Sequence, residues 1–143
     1  MAVPAATTLE IPADVARLAE VRRFVREWLS AQLVPAAATG DVVQAVDECA
    51  TNAIVHGYQG RTGSVQIELE VRGDTITAYI RDQARPFNPT LVPEPAYDRP
   101  IADRLRGGMG VHLMRAALDE MRYRLLPDGR NEMTMIRRID RVE

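Results

Sequence analysis

The 143-residue chain contains no lysine; all eighteen of its basic residues are arginine. That absence excludes a G-x-x-x-x-G-K-[ST] phosphate loop, the lysine of a protein-kinase-type fold and Schiff-base chemistry. A single cysteine, Cys49, leaves no intrachain disulfide, and its apolar helical neighbours mark it as a core thiol. With two histidines and no clustered cysteines there is no ligand set for zinc. No block of like charge stands out either. Eighteen basic against twenty acidic residues leave a net charge of −2, without the basic stripe that grips nucleic acid or an anionic membrane. Apolar runs fall far short of a bilayer span, and "MAVPAATTLE" lacks the basic-then-apolar layout of a signal peptide. The expectation is a cytoplasmic protein that meets another protein or a small ligand, with no direct nucleic acid or membrane contact.

What the chain does have is 46% hydrophobic residues, enough for one domain over residues 1–143 with a core that folds unaided. Residues 7–11, "TTLEI", read as a strand. Residues 13–33 read as a helix whose Leu18, Val21, Val25, Trp28 and Leu29 form one apolar stripe, with Trp28 as a core or dimer anchor. A small-residue loop, "VPAAATG", leads to a second helix over about 40–57, with Asp41 in its first turn and Gly57 as its stop. "SVQIELEV" and "TITAYIRD" alternate apolar and polar residues on either side of Arg72-Gly73-Asp74, the pattern of a half-buried antiparallel hairpin. Periodicity then vanishes over about 85–107, where five of the nine prolines lie. A third helix runs to about 121, and a last hairpin, "YRLL" and "EMTMIRRI", turns at Asp128-Gly129. Hairpin-linked strands with helices gathered beside them predict an α+β two-layer sandwich rather than a doubly wound parallel sheet.

Three places could carry chemistry. Gly107, Gly108 and Gly110 stand at the mouth of the third helix, where bare backbone and free N–H groups suit phosphate oxygens, or simply a hinge. Glu48 and Asn52, four residues apart, lie about 40° from each other on the second helix and away from its apolar stripe. They are either plain solvated residues or, for metal-assisted phosphoryl transfer, a proton acceptor beside a hard oxygen ligand for Mg²⁺. Asp82 ends a strand just before the proline-rich loop, as a turn-former or as an acceptor for an exocyclic amine. His56 is better explained by the negative end of its helix than as a ligand, and His112 by packing or surface.

In order and spacing, "DECATNAIVHGY", "RDQARPFNP" and "RGGMGVHLMRAALDEMRY", continuing into "GRNEMTM", resemble the three boxes of the GHKL ATPase superfamily. Within it the likeness is to the bacterial anti-sigma-factor serine kinase family, over residues 7 to 138. The resemblance implies the Bergerat ATP-binding fold, a mixed and mostly antiparallel sheet with helices on one face. It implies Glu48 as general base, Asn52 as Mg²⁺ ligand and Asp82 as acceptor for the adenine amino group. Gly108 and Gly110, with the N–H groups around Met109 and Val111, would hold the phosphates of ATP beneath a lid of residues 85–107, and Thr134 would lie near the adenine. The implied partners are a sigma factor and an anti-sigma-factor antagonist phosphorylated on serine, and the implied assembly is a homodimer. One departure is Ala84, which stands where the family pattern has glycine; its extra methyl and its aversion to positive φ predict a tightened pocket or a displaced nucleotide. It motivates the alternative of a fold kept only for binding a partner. A stand-alone piece of a sensor histidine kinase fits less well, since no phosphoacceptor helix is seen ahead of the domain.

Overall fold

Alternation at a period of two places Val65, Ile67 and Leu69 on one side of their strand, and all three are fully buried. The structure, a computed structural model, describes residues 5–93 and 109–139. The strands are β1 (Ala5–Pro12), β2 (Ser64–Arg72), β3 (Thr75–Asp82), β4 (Glu120–Leu125) and β5 (Asn131–Arg138). They form one sheet in the order β1-β2-β3-β5-β4, and every pairing among the described residues is antiparallel. Register decides what meets what. The row Leu9, Ile67, Ile80, Met133, Tyr123 crosses the whole sheet on its inner face. The next inner row, Ile11, Val65, Asp82, Asn131, Leu125, sets a carboxylate directly beside an amide at the end of that face.

The helices cover the inner face alone, giving the expected two-layer α+β sandwich. α1 (Leu18–Ala31) follows a short 3-10 turn and buries Leu18, Val21, Val25 and Leu29, while Trp28 is half-buried against the same core. Its Arg22 reaches Asp47 of α2 at 2.9 Å. α2 (Ala36–Thr51) begins four residues before the predicted start, because "AAATG" is helical and no loop. Alanine has the highest helix propensity, and Pro35 stands at the N-cap, where its missing N–H costs nothing. Asp41 therefore lies one turn inside the helix and pairs with Arg137 of β5 at 3.0 Å.

Gly57 does not stop α2. The chain widens after Thr51 into a π-helical stretch, Asn52–Tyr58, and reverses only at Gln59 (φ 52°) and Gly60 (φ 83°). α3 (Met109–Ala117) ends four residues before the predicted end, and Met121 belongs to β4, half-buried against the core. The final hairpin turns where Asp128-Gly129 predicts, with Gly129 at φ 89°. No helix among the described residues is long and apolar enough to cross a membrane.

Candidate functional site

A cavity of about 710 Å³ opens between α2 with its π-helical extension, α3, and the ends of β3 and β5. Its size suits a cofactor or nucleotide. Glu48, Asn52, Asp82, Ala84, Gly110 and Val111 all line it, so residues from three separated segments of sequence converge there.

At one side α2 meets α3. A Cβ built on Gly110 would fall 2.6 Å from Glu48 Oε2 and 3.8 Å from Asn52 Oδ1. Glycine lets the start of α3 lie against this carboxylate and amide as they stand, where a Cβ would make the Glu48 carboxylate move aside. The Glu48 carboxyl is held above its ordinary pKa, first by burial and then by the neighbouring charge of Asp47. Asn52 begins the π-helical stretch, the kind of widened turn that accumulates at functional sites. Gly107 and Gly108 lie outside the described residues, as does the side chain of Met109. Of the predicted lid, residues 85–93 are described; they include a 3-10 turn, Pro89–Leu91. Arg115 of α3 donates to the carbonyls of Pro89 and Thr90 at 3.3 and 3.0 Å, tying the root of that segment to α3.

At the other side the carboxylate of Asp82 is buried. Its Oδ1 accepts from the Ala84 N–H and from Asn131 Nδ2, each at 2.9 Å. Those are its hydrogen bonds among the described residues, so Oδ2 is left for a donor in the cavity. Burial raises the Asp82 pKa more than the two hydrogen bonds lower it. Cys49 also faces the cavity; burial and the charge of Asp82 push its thiol up, so it is a neutral wall group. Tyr58 steadies the adjoining backbone: its hydroxyl accepts from Gln83 N–H at 2.8 Å and donates to the Ser64 carbonyl at 2.7 Å. The ring fits because position 63 is glycine, where a Cβ would come within 2.2 Å of it.

Ala84 is buried and lines the cavity. Among the described non-glycine residues only Leu33 and Gln59 have positive φ, so Ala84 needs no left-handed backbone. Its methyl sits over Gly57, where an added Cβ would land 2.6 Å from Ala84 Cβ. The methyl missing from position 57 makes room for the one present at 84. Gly57→Ala is expected to cost roughly 1–3 kcal/mol of stability through overpacking, read by chemical denaturation. The double substitution Gly57→Ala/Ala84→Gly should recover most of it; a double variant no more stable than the single would refute the compensation.

Thr134 lies on the sheet face away from the cavity, on the same side of β5 as Glu132, because residues of a strand alternate. Met133, its neighbour, takes the cavity position, together with Asn131. Pattern reading missed Asn131 and Tyr123: nothing in "GRNEM" or "MRYRLL" reveals which strand lies opposite. His56 reaches the cavity wall. No group of three or more His, Cys, Asp or Glu residues that could hold a metal occurs among the described residues. The oxygen donor that could meet Mg²⁺ here, Asn52, would need phosphate oxygens and water to complete an octahedron, its usual arrangement beside nucleotides.

Residues 11–137 match the family described as the histidine kinase-like ATPase domain. The chain is 40% identical over 84 residues to the anti-sigma F factor of Clostridium beijerinckii, a stretch spanning 57% of this chain and 57% of that protein. It is 32% identical over 106 residues to the anti-sigma F factor of Clostridium novyi, covering 72% of this chain and 73% of that protein. Among solved structures it is similar to the RsbU and RsbW domains of Rv1364c from Mycobacterium tuberculosis, with a TM-score of 0.67 at 22% identity over 95% of this chain and 33% of that one. The SiaB-SiaC complex from Pseudomonas aeruginosa gives a TM-score of 0.52 at 18% identity over 92% of this chain and 88% of that one. At those identities the solved structures share the fold.

Proposed function

The chain belongs to the histidine kinase-like ATPase domain family, and from that premise we propose that it binds ATP and acts as an anti-sigma factor with protein serine kinase activity toward an anti-sigma-factor antagonist. The observation that carries this reading is the division of labour in one cavity. It has a buried carboxylate with one oxygen left for an amino group on one side, and Glu48 with Asn52 against a bare helix terminus on the other.

In this reading Asp82 Oδ2 accepts a hydrogen bond from the adenine amino group. Gly110 and the N–H groups at the start of α3, Val111 included, face the phosphates, where free helical N–H groups favour anions. Asn52 Oδ1 supplies a hard oxygen ligand. Mg²⁺, when bound, would neutralise charge on the phosphate oxygens. Glu48 accepts the proton of the antagonist's serine hydroxyl as that oxygen bonds to the γ-phosphorus and the bond to ADP breaks. The anti-sigma F factor relatives support a sigma factor and its antagonist as partners. A homodimer in the cytoplasm belongs to the same proposal. Ala84, which lines the cavity with its methyl packed over Gly57, is the residue on which the alternative of a purely partner-binding domain rests.

Calorimetry with Mg²⁺ and ATP tests the first half, and the mass of nucleotide released on denaturing the purified protein gives the same answer independently. Saturable binding followed by transfer of one phosphate to a serine of the antagonist is the expected outcome. Absence of heat and of any thermal shift at millimolar ATP would overturn the reading in favour of a binding-only domain.

A further inference from the structure

Asn131 is the first residue of β5 and stands opposite Asp82 in the β3–β5 register. It is buried, and both hydrogens of its amide are committed: Nδ2 donates to Asp82 Oδ1 at 2.9 Å and to the Ala84 carbonyl at 3.0 Å. An ionised carboxylate and a backbone carbonyl only accept, so the amide must turn its nitrogen toward them. Its Oδ1 then faces the other way and accepts from the Tyr123 hydroxyl at 2.5 Å. Every bond in this chain agrees with one orientation of the amide, which removes the usual ambiguity between the oxygen and nitrogen of an asparagine. Tyr123 and Asn131 both belong to the cavity wall.

We propose that Asn131, oriented by Tyr123, is a positioning residue that sets the base preference of the nucleotide site. It occupies Asp82 Oδ1 and caps the Ala84 carbonyl, leaving Asp82 Oδ2 as the acceptor offered to the base. It spends both its own hydrogens in doing so, and therefore offers the base no donor. An exocyclic amino group satisfies that arrangement. A ring carbonyl in the same place meets a carboxylate oxygen and is rejected, since an unpaired buried acceptor keeps its full desolvation cost. Without Asn131 the carboxylate is held by the Ala84 N–H alone, and the Ala84 carbonyl becomes available as a second, misplaced acceptor.

The inference rests on the reading that the cavity takes ATP, and its test separates the two. Affinities of the full chain for ATP and for inosine triphosphate, which carries a carbonyl in place of the amino group, are measured by calorimetry with Mg²⁺ for wild type, Asn131→Ala and Tyr123→Phe. Wild type is expected to favour ATP by about tenfold or more, the worth of one well-placed hydrogen bond to a charged group. Asn131→Ala should lose about tenfold in ATP affinity with inosine triphosphate nearly unchanged, so that the ratio collapses; Tyr123→Phe, which keeps the ring, should lose about threefold in the same direction. A merely structural role would weaken both nucleotides together and leave the ratio alone. An unchanged ratio in Tyr123→Phe, or in a folded Asn131→Ala, overturns the proposal while ATP binding by wild type stands. Wild type binding neither nucleotide overturns the ATP reading and this inference with it.

Discussion

Glu48→Gln is expected to slow phosphoryl transfer to the antagonist by roughly a hundred- to ten-thousandfold while leaving ATP affinity within about threefold, the span set by removing a general base. Glutamine keeps the length and volume of the side chain beside Gly110, so the contact at the start of α3 is preserved and only the ability to take a proton is lost. The wild-type pH profile carries a second signature. Burial and the charge of Asp47 raise the Glu48 pKa, and a protonated carboxyl cannot accept the serine proton. Transfer therefore falls as pH drops through that raised value, which places the acid limb above the ordinary glutamate range. Residual transfer by the glutamine variant should lack that limb. Single-turnover transfer of labelled phosphate across a pH series measures both; transfer within tenfold of wild type would remove Glu48 from the role.

Asp82→Asn should reverse the base preference and leave the fold intact. The substituted amide can set its oxygen where Oδ1 now stands and keep both donors, Ala84 N–H and Asn131 Nδ2. Its NH₂ then replaces Oδ2 and offers the cavity a donor in place of an acceptor. ATP is expected to bind about ten- to a hundredfold more weakly, the value of ~1.5–3 kcal/mol for a hydrogen bond to a charged group. Inosine triphosphate should gain. Stability moves the other way. The folded-state pKa of Asp82 is raised, so the folded protein holds this proton more tightly than the unfolded chain. The associated stability is present at low pH and is lost as pH rises through the unfolded and then the folded value, which makes the ionised carboxylate a net cost at neutral pH. The asparagine variant should therefore melt at neutral pH no lower than wild type. A variant that binds ATP as wild type does would show that Asp82 does not read the base.

Periodicity made some of this legible. The alternation around Val65, Ile67 and Leu69 specifies a strand and its buried face, because a pleat repeats every two residues whatever it packs against. The α1 stripe follows in the same way from a period of 3.6. Glu48 and Asn52 share a side of one helix by arithmetic alone, and Asp82 announces itself as an acid at a strand end. Boundaries are less legible: "AAATG" reads as a loop because small residues populate both states, and the run of alanines joins the helix behind Pro35 at its N-cap. The continuation of α2 through Gly57 as a π-helical stretch has no local signal, since Gly57 is glycine for the sake of Ala84, twenty-seven positions later.

By itself, then, the sequence determined the elements, the faces they bury and the residue types able to do the chemistry, for these depend on local spacing and on functional groups. Tertiary structure decided which groups stand together. Strand pairing put Asn131 beside Asp82, and strand parity gave the cavity Met133 rather than Thr134. Helix packing pressed Gly110 onto Glu48, and the bare backbone of Gly57 made room for the Ala84 methyl. Each is a contact between residues distant in the chain, and such contacts arise from register and close packing, which no short stretch of sequence contains.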